Sequence, residues 1–406
     1  MFESEVDVSA KEEHVAGEED PDKELELRVQ QEFGMYCRLM SLGGVWPTGG
    51  AEPAWRKAVR WLLLANSLLT TAALAREAAL AAARTSGLTD FACRCAFVVA
   101  LGSNNVIMLL MARHHGRLRR LMAWAVTIRP RASCRRLQRN ARAGATAMAA
   151  QVLLWLAGCF CIGPHALLLD ISYPVDGLVA GRARQVLLLL DQAAVAFNHL
   201  CSVASFSTMF AHFVYIACQH LQRSMDDLTA DNCDIAAVVR HHQQTLRYIK
   251  GIEDVYCIIM LWVFLPMMAV MCLIMFVVLK MTSVDIEFLE MLAFFLIYFI
   301  TNGVISICGS MLTSKAERVV LAAYSSAWPE RGRGFSGAVR VVMVRFLQPA
   351  QLTVAKFVPL SINTFSKLVQ ESFSYLMVML SLVNEKDSEP QPAVVLEAAS
   401  NHSAHY

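Results

Sequence analysis

The sequence predicts an all-α, polytopic membrane protein with seven transmembrane helices, an intracellular N-terminus and an extracellular C-terminus. Of the 406 residues, 56% are hydrophobic and only 17% are charged, and the apolar residues fall in long blocks. That composition is too apolar for an ordinary soluble domain. The basic residues are concentrated in a few of the segments between the blocks, and this asymmetry sets the predicted orientation.

Residues 1–57 precede the first apolar block. The first 32 residues hold twelve acidic and three basic side chains, which predicts a disordered acidic tail. The Gly- and Pro-rich stretch 43–53 then leads to the membrane, where Trp46 and Trp55 suit the interface. We expect a cytoplasmic tail followed by a short pre-membrane segment.

Seven apolar blocks have the length of about 20 residues that is needed to cross a bilayer. They lie at 58–80, 90–112, 144–169, 186–217, 256–280, 287–312 and 350–383. The fourth block contains Asp191, Asn198 and His199, and such groups must face protein or water rather than lipid. The first six blocks form a predicted ligand-binding membrane bundle over 58–312.

Loop charge determines the predicted topology. The loop 113–142 contains ten Arg and no acidic residue, so the positive-inside rule makes it cytoplasmic. The loops 219–255 and 313–349 carry four and six Lys or Arg residues, whereas 170–185 and 281–286 carry few. With seven spans, this pattern puts the N-terminus inside and the C-terminus outside.

Two cytoplasmic segments are expected to be helical. The segment 219–255 keeps a helical spacing of apolar residues, so it predicts extensions of the fourth and fifth spans. The segment 313–349 does the same around the loop 329–334, and together they predict an intracellular anchor. At the other end, the tail 384–406 is predicted to be extracellular, and Asn401 begins a glycosylation sequon there.

The last apolar block, 350–383, carries polar groups in a regular pattern. Their spacing of three or four residues puts them near one helical face: Ser361, Thr364, Lys367, Glu371 and Ser374. Val378 and Leu382 continue this face with apolar side chains. A polar stripe that ends in apolar positions suits a water path closed by a hydrophobic constriction. A bundle helix bonded to its neighbours through polar groups would show the same pattern.

Aromatic side chains in the outer parts of the spans are candidates for a ligand pocket. Apolar and aromatic walls with a few polar groups suit a small hydrophobic ligand. The candidate ligand-binding residues are Phe97, Trp155, Phe160, Phe197, Phe295 and Tyr298. Phe295 and Tyr298 are spaced i, i+3 and should share a helix face. A single aromatic residue of this kind is more often packed in the bundle or exposed to lipid.

The sequence lacks the common motifs of enzyme active sites. There is no GxSxG, HExxH, phosphate-binding loop or CxxC motif, so we expect no enzyme, no metal and no cofactor. The adjacent His pairs at 114–115 and 241–242 point in different directions on a helix, which disfavours a metal site. Topology and anionic lipid headgroups explain the Arg-rich loop better than nucleic acid does.

Three runs near the C-terminus resemble the signature of a known family. AAYSSAW at 322–328, QPAQLTVAKFVPLSINTF at 348–365 and SYLMVML at 374–380 are similar, in order and spacing, to the C-terminal signature of insect odorant receptors. Earlier in the chain, the resemblance rests on length and hydropathy layout.

The resemblance implies an odorant receptor subunit that binds a small hydrophobic volatile in the outer half of the bundle. It implies a non-selective cation channel formed with an odorant co-receptor as a hetero-tetramer, in the plasma membrane of olfactory sensory neuron dendrites. In this family, the segment after the Ser/Thr-Tyr pair lines the narrowest part of the pore. Counted from Ser374, this places Val378 and Leu382 at the gate. Glu371, one turn inward, is placed either to attract cations or to pair with Lys367 at i, i+4.

Other receptor classes remain as alternatives. Gustatory receptors share the architecture but typically end in Thr-Tyr, five apolar residues and Gln-Phe, whereas SYLMVML is followed here by Ser381 and Leu382. The odorant co-receptor carries a long insertion between spans four and five, and 219–255 is short here, which favours a ligand-tuning subunit. A G-protein-coupled chemoreceptor requires an outside N-terminus, which the Arg-rich loop opposes, and a secondary transporter predicts uptake rather than current.

Overall fold

A computed structural model gives the structure of the protein and describes residues 21–42, 54–83, 87–128, 181–230, 234–281, 283–326, 328–330, 332–346 and 350–388. Within these residues the chain is almost entirely helical. The elements are α1 (Pro21–Leu42), α2 (Ala54–Ala83), α3 (Leu88–Arg113), α4 (His115–Ile128), α5 (Arg182–Thr229), α6 (Ile235–Lys280), α7 (Ile286–Tyr324), α8 (Arg333–Phe346), β1 (Thr353–Val354), β2 (Val358–Pro359) and α9 (Ile362–Ser388).

Five of the described helices are long and apolar enough to cross a membrane, namely α2, α3, α5, α6 and α7. They correspond to the first, second, fourth, fifth and sixth predicted spans, while the third, 144–169, lies outside the described residues. α5 and α6 contain 48 and 46 residues, which is about 70 Å each at the helical rise. That length exceeds twice the hydrocarbon core of about 30 Å, so both helices extend far beyond it.

The N-terminal helix α1 differs from the sequence expectation, because it begins at Pro21 inside the region predicted to be a disordered tail. Its buried residues Phe33 and Tyr36 pack on α5, where the Phe33 ring lies 4.7 Å from the ring of His212. The Tyr36 hydroxyl and His212 Nδ1 form a buried hydrogen bond of 3.2 Å. A few large aromatic contacts therefore anchor a helix whose first half is highly charged.

The Arg-rich segment 113–142 was expected to be a loop, but its described part forms the helix α4. Leu118, Leu121 and Ala125 are buried at helical spacing, whereas Arg119 and Arg120 on the opposite side are exposed. The apolar face packs against α1 and α6. This is an amphipathic helix, so the Arg side chains line its outer surface.

The seventh predicted span begins twelve residues later than expected, because the helix α9 starts at Ile362 rather than at 350. The strands β1 and β2 pair as an antiparallel hairpin in between. Ala355 and Lys356 form its turn with positive φ angles of 51° and 64°. Left-handed residues and Pro359 are incompatible with a continuous helix, which explains why hydropathy alone placed the boundary wrongly.

The hairpin is fixed to α6 by hydrogen bonds. The Glu253 carboxylate accepts from the Thr353 backbone N–H at 2.9 Å and also from the Thr353 hydroxyl. The Ala355 N–H donates to the carbonyl of Cys257 at 3.0 Å. Because two of these bonds involve a carboxylate, the hairpin is held more firmly than its two-residue strands would suggest.

The start of α9 is seated on α7 at Gly309 and Ser310. A Cβ atom at Gly309 would lie only 2.2 Å from the carbonyl oxygen of Leu360, so the close approach requires glycine. The Ile362 N–H donates to Ser310 Oγ at 2.8 Å. α7 and α9 are therefore in direct backbone contact just before the last helix begins.

Polar side chains join α2 to its neighbours within the apolar bundle. Asn66 Nδ2 donates to Asp191 Oδ1 at 2.7 Å, and the Thr70 hydroxyl donates to Asp191 Oδ2 at 3.2 Å. Ser67 Oγ donates to Asn105 Oδ1 at 2.7 Å. Asp191, which interrupts the fourth apolar block, is thus paired with protein rather than exposed to lipid.

Candidate ligand-binding site

A cavity of about 240 Å³ lies between α2, α3, α5 and α7. On α5 it is lined within residues 192–206, and on α7 within 290–305. These segments belong to the N-terminal halves of the two helices, so the cavity lies at the end of the bundle opposite to their long extensions. Its wall is mainly apolar and includes Leu74, Ile107, Val203, Phe206, Ile297 and Ile305.

Aromatic rings form one side of the cavity. Phe97 of α3 stacks on Phe294 of α7, with ring centroids 5.4 Å apart and an interplanar angle of 29°. Phe294 in turn lies 6.1 Å from the ring of Tyr298. Residues spaced i, i+4 on α7 point in nearly the same direction, and this spacing brings both rings to the same wall.

A few polar groups interrupt the apolar wall. Asn104 on α3 and Asn302 on α7 are each only 3% exposed. Asn302 Nδ2 donates to the backbone carbonyl of Tyr298 at 2.8 Å, and Asn104 Nδ2 contacts Met108 Sδ at 3.5 Å. Their Oδ1 atoms and His199 Nδ1 have no hydrogen-bond partner among the described residues. The cavity wall is thus mainly apolar, and three of the residues that line it each hold a buried polar atom without a partner among the described residues.

The structure brings together some of the candidate residues from the sequence and not others. Phe97 and Tyr298 both line the cavity. Phe197 does not, since its side chain is 43% exposed on the outer side of α5. Phe295 does not line it either, because it points toward α9. Trp155, Phe160 and Asn401 lie outside the described residues.

Several cavity residues were not among the candidates. The sequence indicated His199 only as a polar residue that interrupts the fourth apolar block. Its polarity within an apolar run was the signal that could have made it a candidate. Phe294 could have been found from its i, i+4 spacing to Tyr298. Asn104 and Asn302 gave a weaker signal, because many buried Asn residues in membrane helices only join neighbouring helices.

The helix α7 separates the cavity from α9. The neighbouring face of α7, turned by roughly 100–140° from Phe294, carries Phe295 and Phe299. Phe299 meets Phe365 of α9 with ring centroids 5.2 Å apart. Phe295 lines a second, much smaller space together with Ser372 and Leu376 of α9. A shift of α7 at the cavity would therefore directly change its contacts with α9.

The helix α9 has one covered and one uncovered face. Phe365 and Leu376 are 8% and 3% exposed and pack on α7 and α6. On the other face, Val378 and Leu382 are 55% and 60% exposed. The remaining predicted pore residues, Glu371 and Ser374, are also exposed. The four predicted pore positions thus share a surface that this chain itself leaves open.

Comparison with known families decides the assignment. The family described as 7tm Odorant receptor matches residues 108–373, which is more than half of the chain. The chain belongs to the 7tm odorant receptor family. The predicted family is therefore confirmed, together with its assignment as a receptor rather than an enzyme.

Individual relatives are distant. The receptor is 24% identical over 199 residues to Odorant receptor 67c of Drosophila melanogaster, covering 46% of this chain and 47% of that protein. It is 19% identical over 212 residues to Odorant receptor 10 of Aedes albopictus, covering 49% and 56%. The chain spans about half the length of the curated relatives it matches.

The fold is that of a solved insect olfactory receptor. The structure of OR5 from Machilis hrabei in complex with eugenol matches with a TM-score of 0.75, at 14% identity, over 89% of this chain and 100% of that one. A second structure of the same receptor matches with a TM-score of 0.74, at 13% identity, over the same share of both chains. The predicted all-α, seven-span fold is therefore confirmed, and the receptor is a multi-pass membrane protein.

Proposed function

We propose that this receptor binds a small hydrophobic volatile in the cavity and opens a non-selective cation channel together with a co-receptor. The observation that carries the proposal is the apolar cavity walled by Phe97, Phe294 and Tyr298 in a chain of the odorant receptor family. Its volume is slightly below the range of about 300–1,000 Å³ typical of small-molecule sites, which suits a compact molecule.

Opening would be coupled to binding through α7. A ligand shifts a conformational equilibrium only by binding one state more tightly than the other. A volatile in contact with Phe294 and Tyr298 would favour one position of α7, and the neighbouring face of α7 would transmit this through Phe299 to Phe365. Movement of α9 would then rewet a constriction formed by Val378 and Leu382.

The open face of α9 supports assembly with other subunits around a shared pore. Val378 and Leu382 are apolar and more than half exposed, and Glu371 lies on the same face. In the proposed hetero-tetramer with a co-receptor, this face lines the ion path, and Glu371 attracts cations to it. The N-terminus and the Arg-rich α4 would face the cytoplasm, and the plasma membrane of olfactory neuron dendrites would be the site of action.

The test is whole-cell recording from cells that express the receptor with and without an insect odorant co-receptor, against a broad panel of volatiles. Rapid, odorant-dependent cation current only in the presence of the co-receptor is the expected result. Surface labelling of a tag on the receptor controls for expression. Silence from a complex that reaches the surface, or uptake without current, would refute the channel proposal.

A further inference from the structure

We propose that the junction of α3 and α4 binds a membrane lipid whose headgroup carries several phosphates, with the guanidinium groups of Arg113, Arg117 and Arg120 as its partners. These three residues are called the Arg face below. The inference concerns a surface outside the ligand cavity and the proposed pore, and it does not depend on either role. Its basis is an exposed row of basic side chains that continues the apolar outer surface of α3.

Helical hydrogen bonding continues through the junction of α3 and α4. The His114 N–H donates to the Leu110 carbonyl at 2.9 Å, and the Leu118 N–H donates to the His114 carbonyl at 3.0 Å. The members of the Arg face are spaced by four and three residues, so they share one side of the helix. All three are exposed, whereas Leu118 and Met122 on the far side are buried. The row is about 10 Å long at the helical rise.

The Arg face begins at the level of the membrane interface. α2 and α3 are antiparallel neighbours, joined by the hydrogen bond from Ser67 Oγ to Asn105 Oδ1. From this bond, Trp61 lies about 9 Å and Arg113 about 12 Å in the same direction along the two helices. Trp61 is 68% exposed, and an exposed Trp near the end of a span is typical of the headgroup region. Arg113 therefore lies beside the headgroups, and the other two Arg residues lie one and two turns further from the hydrocarbon core.

The same side of the helix is apolar on the membrane side of the junction. Leu109 lies one turn before Arg113 and is 46% exposed, so a lipid chain can reach its side chain. Gly116 lies among the Arg face, and a Cβ atom added there would have no neighbour within 4 Å among the described residues. The surface beside the guanidinium groups is therefore open. An amphiphile with an apolar chain and an anionic head fits this order of surfaces better than a soluble anion does.

The charge of the Arg face is not neutralised by the described part of the chain. No ion pair there joins it to an acidic residue. Arg119, about 100° around the helix from the Arg face, differs because it lies 3.3 Å from the Glu26 carboxylate of α1. The pKa of His114 lies below its ordinary value, first because of burial and then because of the nearby charges of Arg117 and Arg113. The positive potential at the junction is thus available to an anion.

Three guanidinium groups in a row favour a headgroup with more than one phosphate. Arg binds a phosphate through two parallel N–H donors. A single phosphate cannot pair with three such forks spread over about 10 Å, whereas an inositol headgroup with further phosphates on its ring can reach several of them. Basic clusters directly cytoplasmic of a span favour such lipids. The loop charge predicts that this end of α3 is cytoplasmic, where anionic lipids are enriched.

The experiment measures lipid binding to the purified, full-length receptor in a neutral detergent. The probe is a fluorescent, short-chain phosphatidylinositol bisphosphate, and its binding is followed by fluorescence anisotropy. Phosphatidylserine and phosphatidylcholine with the same chains and label are the comparison lipids, and the latter reports simple partition into the micelle. We expect the bisphosphate to bind at least about ten-fold more tightly than phosphatidylserine, and its affinity to fall as salt is added.

Two adjacent residues provide a matched pair of variants. Arg120→Gln removes one charge from the Arg face and should weaken bisphosphate binding about five-fold. Arg119→Gln removes the same charge from the same helix, but from the side that is paired with Glu26, and should leave the affinity nearly unchanged. Combined replacement of the whole Arg face by Gln should weaken binding roughly 100-fold. Thermal unfolding of each variant without lipid checks that it is folded.

The results that would overturn the inference are distinct. Equal losses in the two single variants would mean that diffuse charge, rather than the Arg face, attracts the lipid. Equal affinity for phosphatidylserine and the bisphosphate in the unaltered receptor would refute a preference for several phosphates, even if no variant folds. Competition by free inositol trisphosphate at the same concentration as the lipid would make the ligand a soluble anion. None of these measurements involves current, so their failure leaves the proposed channel untouched.

Discussion

A single methyl group at Gly309 should displace the start of the last helix. A Cβ atom there would lie 2.2 Å from the Leu360 carbonyl oxygen and 2.8 Å from Leu360 Cγ. Leu360 belongs to the turn just before α9, and the Ile362 N–H is hydrogen-bonded to Ser310 beside it. In Gly309→Ala, the methyl group must therefore push this turn and the beginning of α9 away from α7.

The magnitude follows from the distances. A carbon–oxygen contact is comfortable at about 3.3 Å, so the turn must retreat by roughly 1 Å. Overpacking costs about 1–3 kcal/mol, and the upper end applies here because a backbone oxygen cannot rotate away as a flexible side chain can. Alanine recovers up to about 1 kcal/mol in helix propensity. The expected net destabilisation of the resting arrangement is therefore about 2 kcal/mol.

Gly303 provides the matched control on the same helix. Its added Cβ would meet the nearest atom, Phe365 Cζ, at 3.7 Å, which is an ordinary contact. We expect Gly303→Ala to leave the unfolding temperature and the currents nearly unchanged. Gly309→Ala should lower the unfolding temperature of the purified receptor and raise the basal current with the co-receptor. Equal behaviour of the two variants in both assays would refute the described seating of Leu360 on α7.

Three further predictions concern the pore, the cavity and the hairpin. Val378→Ala combined with Leu382→Ala should raise the leak current without odorant, since smaller side chains wet a constriction more readily; an unchanged leak would remove both from the gate. Phe97→Ala should raise the odorant concentration for half-maximal current about ten-fold through loss of aromatic stacking, with unitary conductance unchanged; altered conductance would instead place Phe97 in the ion path. Glu253→Gln should destabilise the receptor by about 1–2 kcal/mol in thermal unfolding, because it weakens two charge-assisted bonds to Thr353. Thr353→Ala keeps the backbone N–H donor and should lower the free energy of unfolding by less than Glu253→Gln does. A larger decrease in this control would contradict the assigned role of the carboxylate.

Hydropathy was sufficient to predict the long helices of the bundle, because a membrane span needs about 20 apolar residues and few other structures do. The helices α1 and α4 were not predicted, because they contain no long apolar block. Their apolar residues are interspersed with charged ones, as Leu118 is between Arg117 and Arg119, and packing on α5 and α6 gives them partners. A short amphipathic helix of this kind therefore resembles a charged tail or loop in the sequence.

A cavity with apolar and aromatic walls could be expected from the sequence, but the particular residues that line it could not. Phe295 and Tyr298 were paired by their i, i+3 spacing, whereas the structure pairs Phe294 with Tyr298 and turns Phe295 toward α9. These alternatives differ by a rotation of α7 about its axis, and neighbouring helices determine that rotation. The resemblance to a family could suggest a pocket in the bundle, but only packing selects which residues line it.

The pairing of Asp191 with α2 has a consequence for how the receptor is made. A carboxylate costs about 2.5–3.5 kcal/mol at the centre of a membrane helix that enters the bilayer from the translocon, and less toward the end of the span, where Asp191 lies. α2 precedes α5 along the chain, so Asn66 and Thr70 are already in the membrane when α5 emerges from the ribosome. We expect the earlier helix to lower the cost of inserting the later one, because it offers hydrogen-bond donors to the Asp191 carboxylate. Loss of these two side chains would appear first as a biosynthetic error, with α5 left outside the bilayer and every later helix inverted.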